Sequence, residues 1–275
     1  MKPKNEEKYR QYTGQTVNGR RLKTVLPSTV YRKTSIFSVL LGLRFNINAK
    51  SYKRKIEMNK QYNTVIWDWN GTLLNDVEMC VDIANQLLIS HGRIPQNLTD
   101  YKSIFGFPVK DYYEQVGFDF SKESFPSLAE KFMATYSSDV LNCQLHTNAI
   151  HVLETFKKNQ INQFILTAAQ KSDALELLNH FEIINYFKAV EGLDNRHAAS
   201  KVERGIHLIK DNQIDAASAV MVGDTMHDYH VAEAIGVDCI LISNGHQSKE
   251  RLQTVAENII VLEDVGELIP HLIAL

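Results

Sequence analysis

At 275 residues with 44% hydrophobic content, the chain can bury a sizeable core and reads as one domain, or a domain with an insertion, plus a tail. Its three cysteines, Cys80, Cys143 and Cys239, show no CxxC spacing, which argues against a disulfide framework or a zinc site and suits a reducing cytoplasm. No apolar run approaches the length of a membrane span, and the net charge of −2 hides a sharp division along the chain.

Residues 1–57 hold 14 Lys+Arg against 3 Asp+Glu, whereas the rest holds 16 against 29. Such asymmetry marks either a nucleic-acid or membrane arm or a segment outside the fold. The apolar island Ile36-Phe37-Ser38-Val39-Leu40-Leu41-Gly42-Leu43 is short for a signal-peptide core and no small-residue cleavage pattern follows it. Glu6 and Glu7 sit where an organellar leader should be basic. Met58 stands just ahead of the first strand. Residues 1–57 are therefore expected to be a basic flexible extension that need not belong to the mature protein.

From residue 58 the pattern becomes regular. Thr64-Val65-Ile66-Trp67 is a short apolar run that reads as a buried strand ending at Asp68. Helical spacing follows over 77–91, with Gly92 placed to end it. Thr99 is expected to cap a second short helix ending near Gly106, Pro108 to start a third that Gly117 stops, and Ser127 to Tyr136 to form a fourth. Residues 76–146 thus read as all-helical. Trp67 and Trp69 flank Asp68, alternate away from it and read as core, and Tyr112 and Tyr113 read as packing within the cap. The remainder alternates: helix 148–158, strand 164–167, helix 172–181, strand 188–190, helix 200–210, strand 219–222, helix 228–235, strand 239–242, strand 259–261 and a helix near 264–273. Alternation of this kind implies a parallel sheet covered on both faces. The expected architecture is an α/β core with a Rossmann-like parallel sheet, built from 58–75 and 147–275 and interrupted by a helical cap over 76–146.

Asp68 ends the first strand, and ligands in open α/β sheets bind at that edge. In Asp68-Trp69-Asn70-Gly71-Thr72-Leu73, Gly71 permits a tight turn whose exposed N–H groups cradle a phosphate. Gly223-Asp224-Thr225-Met226-His227-Asp228 places two carboxylates four residues apart after another apolar strand. Hard oxygen ligands of that sort suit Mg²⁺. Thr167 offers a hydroxyl at a third strand end, and Lys201 offers a point charge at a helix start. Together these are the parts that phosphoryl transfer needs.

This ordered set resembles the haloacid dehalogenase-like hydrolase superfamily, and the cap placement resembles its phosphoglycolate phosphatase branch. The resemblance implies a phosphatase in which Asp68 attacks phosphorus to form an aspartyl-phosphate. It implies Mg²⁺ held by Asp68, the backbone carbonyl of Asn70 and Asp224, with Asp228 assisting. It places Gly71, Thr72, Thr167 and Lys201 against the phosphoryl group, with Lys201 also offsetting the nucleophile's charge. Asn70 departs from the pattern. Phosphatases of the family usually carry a second aspartate there as acid and base, and an amide cannot exchange a proton at neutral pH.

The expected partner is a small phosphate ester, phosphoglycolate-like, with no nucleic acid and no membrane; the stretch 77–146 is acidic, with 5 basic against 9 acidic residues. Alternatives are a phosphonate hydrolase, for which Lys110 is the nearest Schiff-base lysine, another phosphoryl-transfer enzyme of the superfamily, or a phosphate-binding protein with little turnover. His227 is a candidate to replace the missing proton shuttle, His246 in Gly245-His246-Gln247-Ser248 a candidate pocket residue, and Phe105-Gly106-Phe107-Pro108 a loop that either faces substrate or packs in the core.

Overall fold

The computed structural model describes residues 60–193 and 200–273. The expected extension over residues 1–57 lies outside the described residues. A six-stranded sheet carries the fold, in the order Ala189–Leu193, Asn162–Gln170, Thr64–Trp67, Ala219–Gly223, Asp238–Ile242 and Ile260–Leu262, with all five pairings parallel. Its strands are β1 (Thr64–Trp67), β4 (Asn162–Gln170), β5 (Ala189–Leu193), β6 (Ala219–Gly223), β7 (Asp238–Ile242) and β8 (Ile260–Leu262). Helices α5 (Ala149–Lys158), α6 (Lys171–His180), α7 (Lys201–Asp211), α8 (Met226–Ile235), α9 (Lys249–Leu252) and α10 (Leu268–Leu272) provide the flanking layers.

Strand periodicity decides which residues meet which layer. Val65, Trp67, Val220, Val222, Ile240 and Ile242 point to one face and pack with Phe156 of α5, Leu178 of α6 and Leu268 of α10. Ile66, Leu166, Met221 and Leu241 point to the other and pack with Leu208 of α7 and Val231 and Ile235 of α8. Burial on both sides explains why β1, β6 and β7 are continuous apolar runs in the sequence. Each fully buried aliphatic side chain contributes about 1.5–3 kcal/mol.

Between β1 and β4 the chain makes a separate excursion. β2 (Leu74–Asn75) and β3 (Gln144–Leu145) form a two-residue antiparallel pair that brackets α1 (Val77–Ser90), α2 (Leu98–Ile104), α3 (Val109–Gln115) and α4 (Phe125–Asp139). These helices own a third apolar cluster around Val81, Leu88, Tyr101, Tyr112, Tyr113 and Leu128. β3 is a correction to the all-helical reading of 76–146, and its partner β2 just precedes that stretch; two-residue strands carry no alternation to read. The second helix is capped by Asn97, whose side chain accepts from Asp100 N–H, and not by Thr99. α4 starts earlier than expected because Ser124 caps it and Pro126 fits its first turn.

β4 is longer than the apolar run alone suggested, continuing through Thr167 to Gln170. α8 begins at Met226, two residues early, because Thr225 and Asp228 form a capping box. Among the described residues no helix is long and apolar enough to cross a membrane.

Candidate functional site

The parallel register brings three chain segments together at one sheet edge. Trp67 is level with Ile165 of β4 and with Val222 of β6, so Asp68 and Asp224 emerge together just past β1 and β6, beside Thr167, which lies within β4 and not at a strand end as expected from the sequence. Asp68 N–H donates to the Val222 carbonyl at 2.8 Å, fixing the start of the turn. Gly71 sits at φ +72°, and a Cβ there would collide with the Asp224 carboxylate and the His246 ring. Glycine is thus required both for the backbone angle and for the close approach.

Asp68, Asp224 and Asp228 have carboxylate oxygens within 4.8 Å of one another, and all three residues are buried. Lys201, 4% exposed at the first turn of α7, reaches across to them. Its ammonium pairs with Asp68 Oδ1 and lies 2.6 Å from Asp228 Oδ1. Asp228 spends its other oxygen on Thr225, accepting from the backbone N–H at 3.0 Å and from the hydroxyl at 2.7 Å. The Thr72 hydroxyl lies 3.3 Å from Asp68 Oδ2 and 3.2 Å from Asp224 Oδ1. Asp224 Oδ2 accepts from His246 N–H at 2.6 Å. Thr167 is buried at the same edge, with its hydroxyl oxygen accepting from Ala169 N–H at 3.0 Å.

Three buried carboxylates against one lysine leave excess negative charge. Burial pushes the Asp68 carboxyl up to about 8, with Lys201 opposing and Asp228 and Asp224 adding to the rise. Burial likewise raises Asp224 to about 6. At Asp228 burial works the same way, but Lys201 and Thr225 outweigh it and hold the carboxyl below its usual range. Burial opposes the charge on Lys201, yet Asp228 and Asp68 hold it ionised above its ordinary value. Hard oxygen donors with uncompensated charge suit a small divalent cation, which restores ionisation of Asp68 and Asp224 when bound.

A second polar cluster lies beside the first and was not read from the sequence. Asp76, 1% exposed, immediately precedes α1. Its Oδ2 accepts from Asn70 Nδ2 at 2.8 Å and from the Tyr136 hydroxyl of α4 at 2.7 Å. Its Oδ1 accepts from Gly71 N–H at 2.9 Å and lies 3.3 Å from His246 Nε2. The Tyr136 oxygen also accepts from Asn70 Nδ2 at 2.7 Å. His246 Nδ1 meets the Tyr101 hydroxyl of α2 at 2.9 Å. Burial opposes ionisation of Asp76, but the hydrogen bond and charge of His246, with Asn70 and Tyr136, hold its carboxyl below the ordinary value. Burial also opposes protonation of His246, and Asp76 outweighs it. Asp76 directly precedes α1, yet its side chain makes no cap hydrogen bond, and its burial and its partners reveal another task.

The remaining candidates divide. His246 joins the site. His227 lies half-buried against the ring of Phe107, with centroids 4.7 Å apart. Lys110 is half exposed, 3.3 Å from Glu114 and over the Phe120 ring. Trp67 and Trp69 lie in the core against the sheet, and Tyr112 and Tyr113 pack within the cluster of the helical segment, both as read from the sequence.

A doubly covered parallel sheet with a lysine-bridged acidic cluster at its carboxyl edge defines an α/β enzyme that handles anionic groups beside a cation. The sequence profile of the haloacid dehalogenase-like hydrolases matches residues 65–242, and the chain belongs to that family. It is similar to a 5′-nucleotidase of Pseudomonas aeruginosa, 26% identical with 70% of this chain and 88% of the relative covered. It is also similar to a phosphoglycolate phosphatase of Pseudomonas fluorescens, at 24% identity over 75% and 78% of the two chains. A haloacid dehalogenase-like family protein from Streptococcus pneumoniae shares the fold with a TM-score of 0.64 at 18% identity, covering 76% of this chain and 97% of that one.

Proposed function

We propose that the chain is a Mg²⁺-dependent phosphatase of small phosphorylated metabolites that works through an aspartyl-phosphate on Asp68. The observation that carries this reading is the bridging of Asp68 and Asp228 by Lys201 beside Asp224, all four buried at one sheet edge. Asp68, the backbone carbonyl of Asn70 and Asp224 hold the cation, and Asp228 assists by fixing Lys201. The bound cation neutralises charge on the phosphoryl oxygens and keeps Asp68 ionised.

Asp68 Oδ attacks phosphorus, the ester oxygen leaves, and water then attacks the acyl phosphate to release inorganic phosphate and restore the carboxylate. Thr72, Thr167, Lys201 and the N–H groups of the turn at Gly71 hold the phosphoryl oxygens. Asn70 orients by hydrogen bonding and moves no proton, so the leaving oxygen gets little acid assistance. Loss of a general acid and base costs about 10²–10⁴ in rate. Helices α1–α4, with an apolar cluster of their own, act as a cap over 76–146 on a core of 58–75 and 147–275. The names of the relatives favour phosphoglycolate and nucleoside monophosphates as esters to try.

The test is magnesium-dependent release of inorganic phosphate by the full chain from a panel of phosphate esters, with trapping of the phosphoenzyme by acid quench. Multiple turnover with a labelled Asp68 supports the reading. Release limited to one equivalent per chain indicates a phosphate-binding protein, and no label on Asp68 removes the covalent route.

A further inference from the structure

We propose that Phe107 and His227 form a stacking platform for an aromatic ring in the leaving group, so that this site prefers aryl or nucleoside phosphates over aliphatic ones. The inference rests on the phosphatase reading above and names the substrate class of that same site.

The two rings face each other across the seam between the helical segment and the sheet. Phe107 comes from the loop between α2 and α3, and His227 directly precedes Asp228. Their centroids are 4.7 Å apart with planes inclined by 32°. Phe105 extends the aromatic surface, 5.9 Å from Phe107 and 5.2 Å from the His246 ring, and His246 N–H is bound to Asp224. A continuous run of rings thus leads from the acidic cluster to Phe107.

Phe107 is nevertheless 46% exposed, whereas Phe105 beside it is only partly buried against the cluster of the helices. A ring of this size is usually covered. Its backbone is not loose. The Phe105 carbonyl accepts from Gln247 Nε2 at 2.8 Å and from the Arg251 guanidinium. Gln247 Oε1 in turn accepts from Met226 N–H, the first residue of α8, at 2.8 Å. Gly106 lets the arginine close in, since a Cβ there would meet Arg251 Nη2 at 2.8 Å. A clamped loop presenting a half-exposed ring is preorganised for stacking, because little order has to be gained on binding.

Charge points the same way. A short aliphatic ester bearing a carboxylate calls for an uncommitted cation near its far end. Of the five cations of the helical segment, Lys110, Lys122 and Lys131 pair with Glu114, Asp119 and Glu123, Lys102 is held by the carbonyls of Ser243 and Asn244, and Arg93 is separated from Asp76 by the whole length of α1.

The experiment compares esters that differ in the ring. Adenosine 5′-monophosphate against ribose 5-phosphate isolates a nucleobase, and p-nitrophenyl phosphate against acetyl phosphate isolates an aryl ring among activated esters. With the full chain and magnesium, at least one kcat/KM ratio should exceed about 10. Which ratio does so identifies the source of the ring. That ratio should fall toward unity in Phe107→Leu, which keeps apolar bulk but has no π face, and should survive in Phe107→Tyr. Turnover with both ratios near unity, or a ratio that Phe107→Leu leaves intact, overturns the platform while the phosphatase reading stands. No magnesium-dependent turnover of any of the four esters sinks both.

Discussion

Asn70 Nδ2 lies 2.8 Å from Asp76 Oδ2, so the amide at the position of the missing acid is bound to a buried carboxylate six residues away. Asp76 can only accept, which fixes the amide with its nitrogen toward Asp76 and Tyr136. The departure from the family pattern at Asn70 is therefore paired with an acidic neighbour.

That pairing shapes the response to Asn70→Asp. The single substitution sets two carboxylates within hydrogen-bond reach, and such a pair keeps one proton between them. We expect Asn70→Asp alone to lower stability by about 1–3 kcal/mol in thermal melts. The exchange Asn70→Asp with Asp76→Asn restores the charge balance and the hydrogen bond. It should recover the stability and raise turnover of alkyl phosphates by about 10-fold or more over the natural chain. Equal stability of the single variant and the natural chain would show that the two positions are not coupled.

Lys201→Met removes the bridge between Asp68 and Asp228 and leaves both buried acids without their cation. Breaking a buried pair from one side costs about 3–5 kcal/mol, and turnover should drop with it. The loss of stability should shrink as pH falls, since Asp68 then takes up a proton. A urea midpoint difference that stays constant from about pH 7 to about 9, across the value of about 8 at which Asp68 ionises beside Lys201, would show that Asp68 is not the group left exposed to the change.

Much of this was legible from the sequence because the sheet is buried on both faces. Continuous runs such as Val65-Ile66-Trp67 and Ala219-Val220-Met221-Val222 admit few other readings, and an acid follows each, Asp68 directly and Asp224 after Gly223. Asp68, Asp224, Asp228 and Lys201 could be collected by asking which strand ends and helix starts carry charge. Asp76 could not. It occupies a place where aspartate ordinarily caps a helix, and its partners Tyr136 and His246 lie 60 and 170 positions away. The β2–β3 pair escaped for a similar reason, since it is defined by contact between distant dipeptides and not by a local period. Phe107 was singled out but left between two readings, because spacing alone does not say which ring of Phe105 and Phe107 stays uncovered.

Metal binding and pH should be linked through Asp68 and Asp224. Both carboxyls are raised in the fold, to about 8 and about 6, from an ordinary 3.8. A raised acid stabilises the fold below its unfolded value and loses that contribution as pH climbs through its folded value. The metal-free protein should thus weaken between pH 4 and 8 on account of these two groups. A divalent cation offsets that loss, so millimolar magnesium should raise the melting temperature more at pH 8 than at pH 5. Asp224→Asn should abolish both the magnesium shift and turnover. A magnesium shift of equal size in Asp224→Asn, or undiminished turnover in excess chelator, would place the cation elsewhere.

His146 supplies a pH dependence of the opposite sign and independent of metal. It is 7% exposed, just past β3, with Nε2 3.0 Å from the Gly71 carbonyl. A carbonyl only accepts, so Nε2 carries the hydrogen, and Nδ1 faces the Asn244 amide nitrogen at 3.2 Å. Both contacts are satisfied by the neutral ring. Burial holds His146 below its ordinary value of 6.5, although the Gly71 carbonyl and Asp76 partly offset this. A histidine lowered in the fold contributes stability that is present above the unfolded value and is lost as pH falls through the folded one. The urea midpoint should therefore decline below about pH 6.5. His146→Gln keeps a donor for Gly71 and has no proton to gain. It should cost about 1 kcal/mol at pH 7.5, from imperfect replacement of the ring. It should cost less at pH 5.5, where the natural chain is already carrying the penalty of a charged or unbonded ring. Parallel urea midpoint curves for the two proteins across that range would show that His146 does not titrate with folding, and would assign the acid sensitivity of the turn at Gly71 to another group.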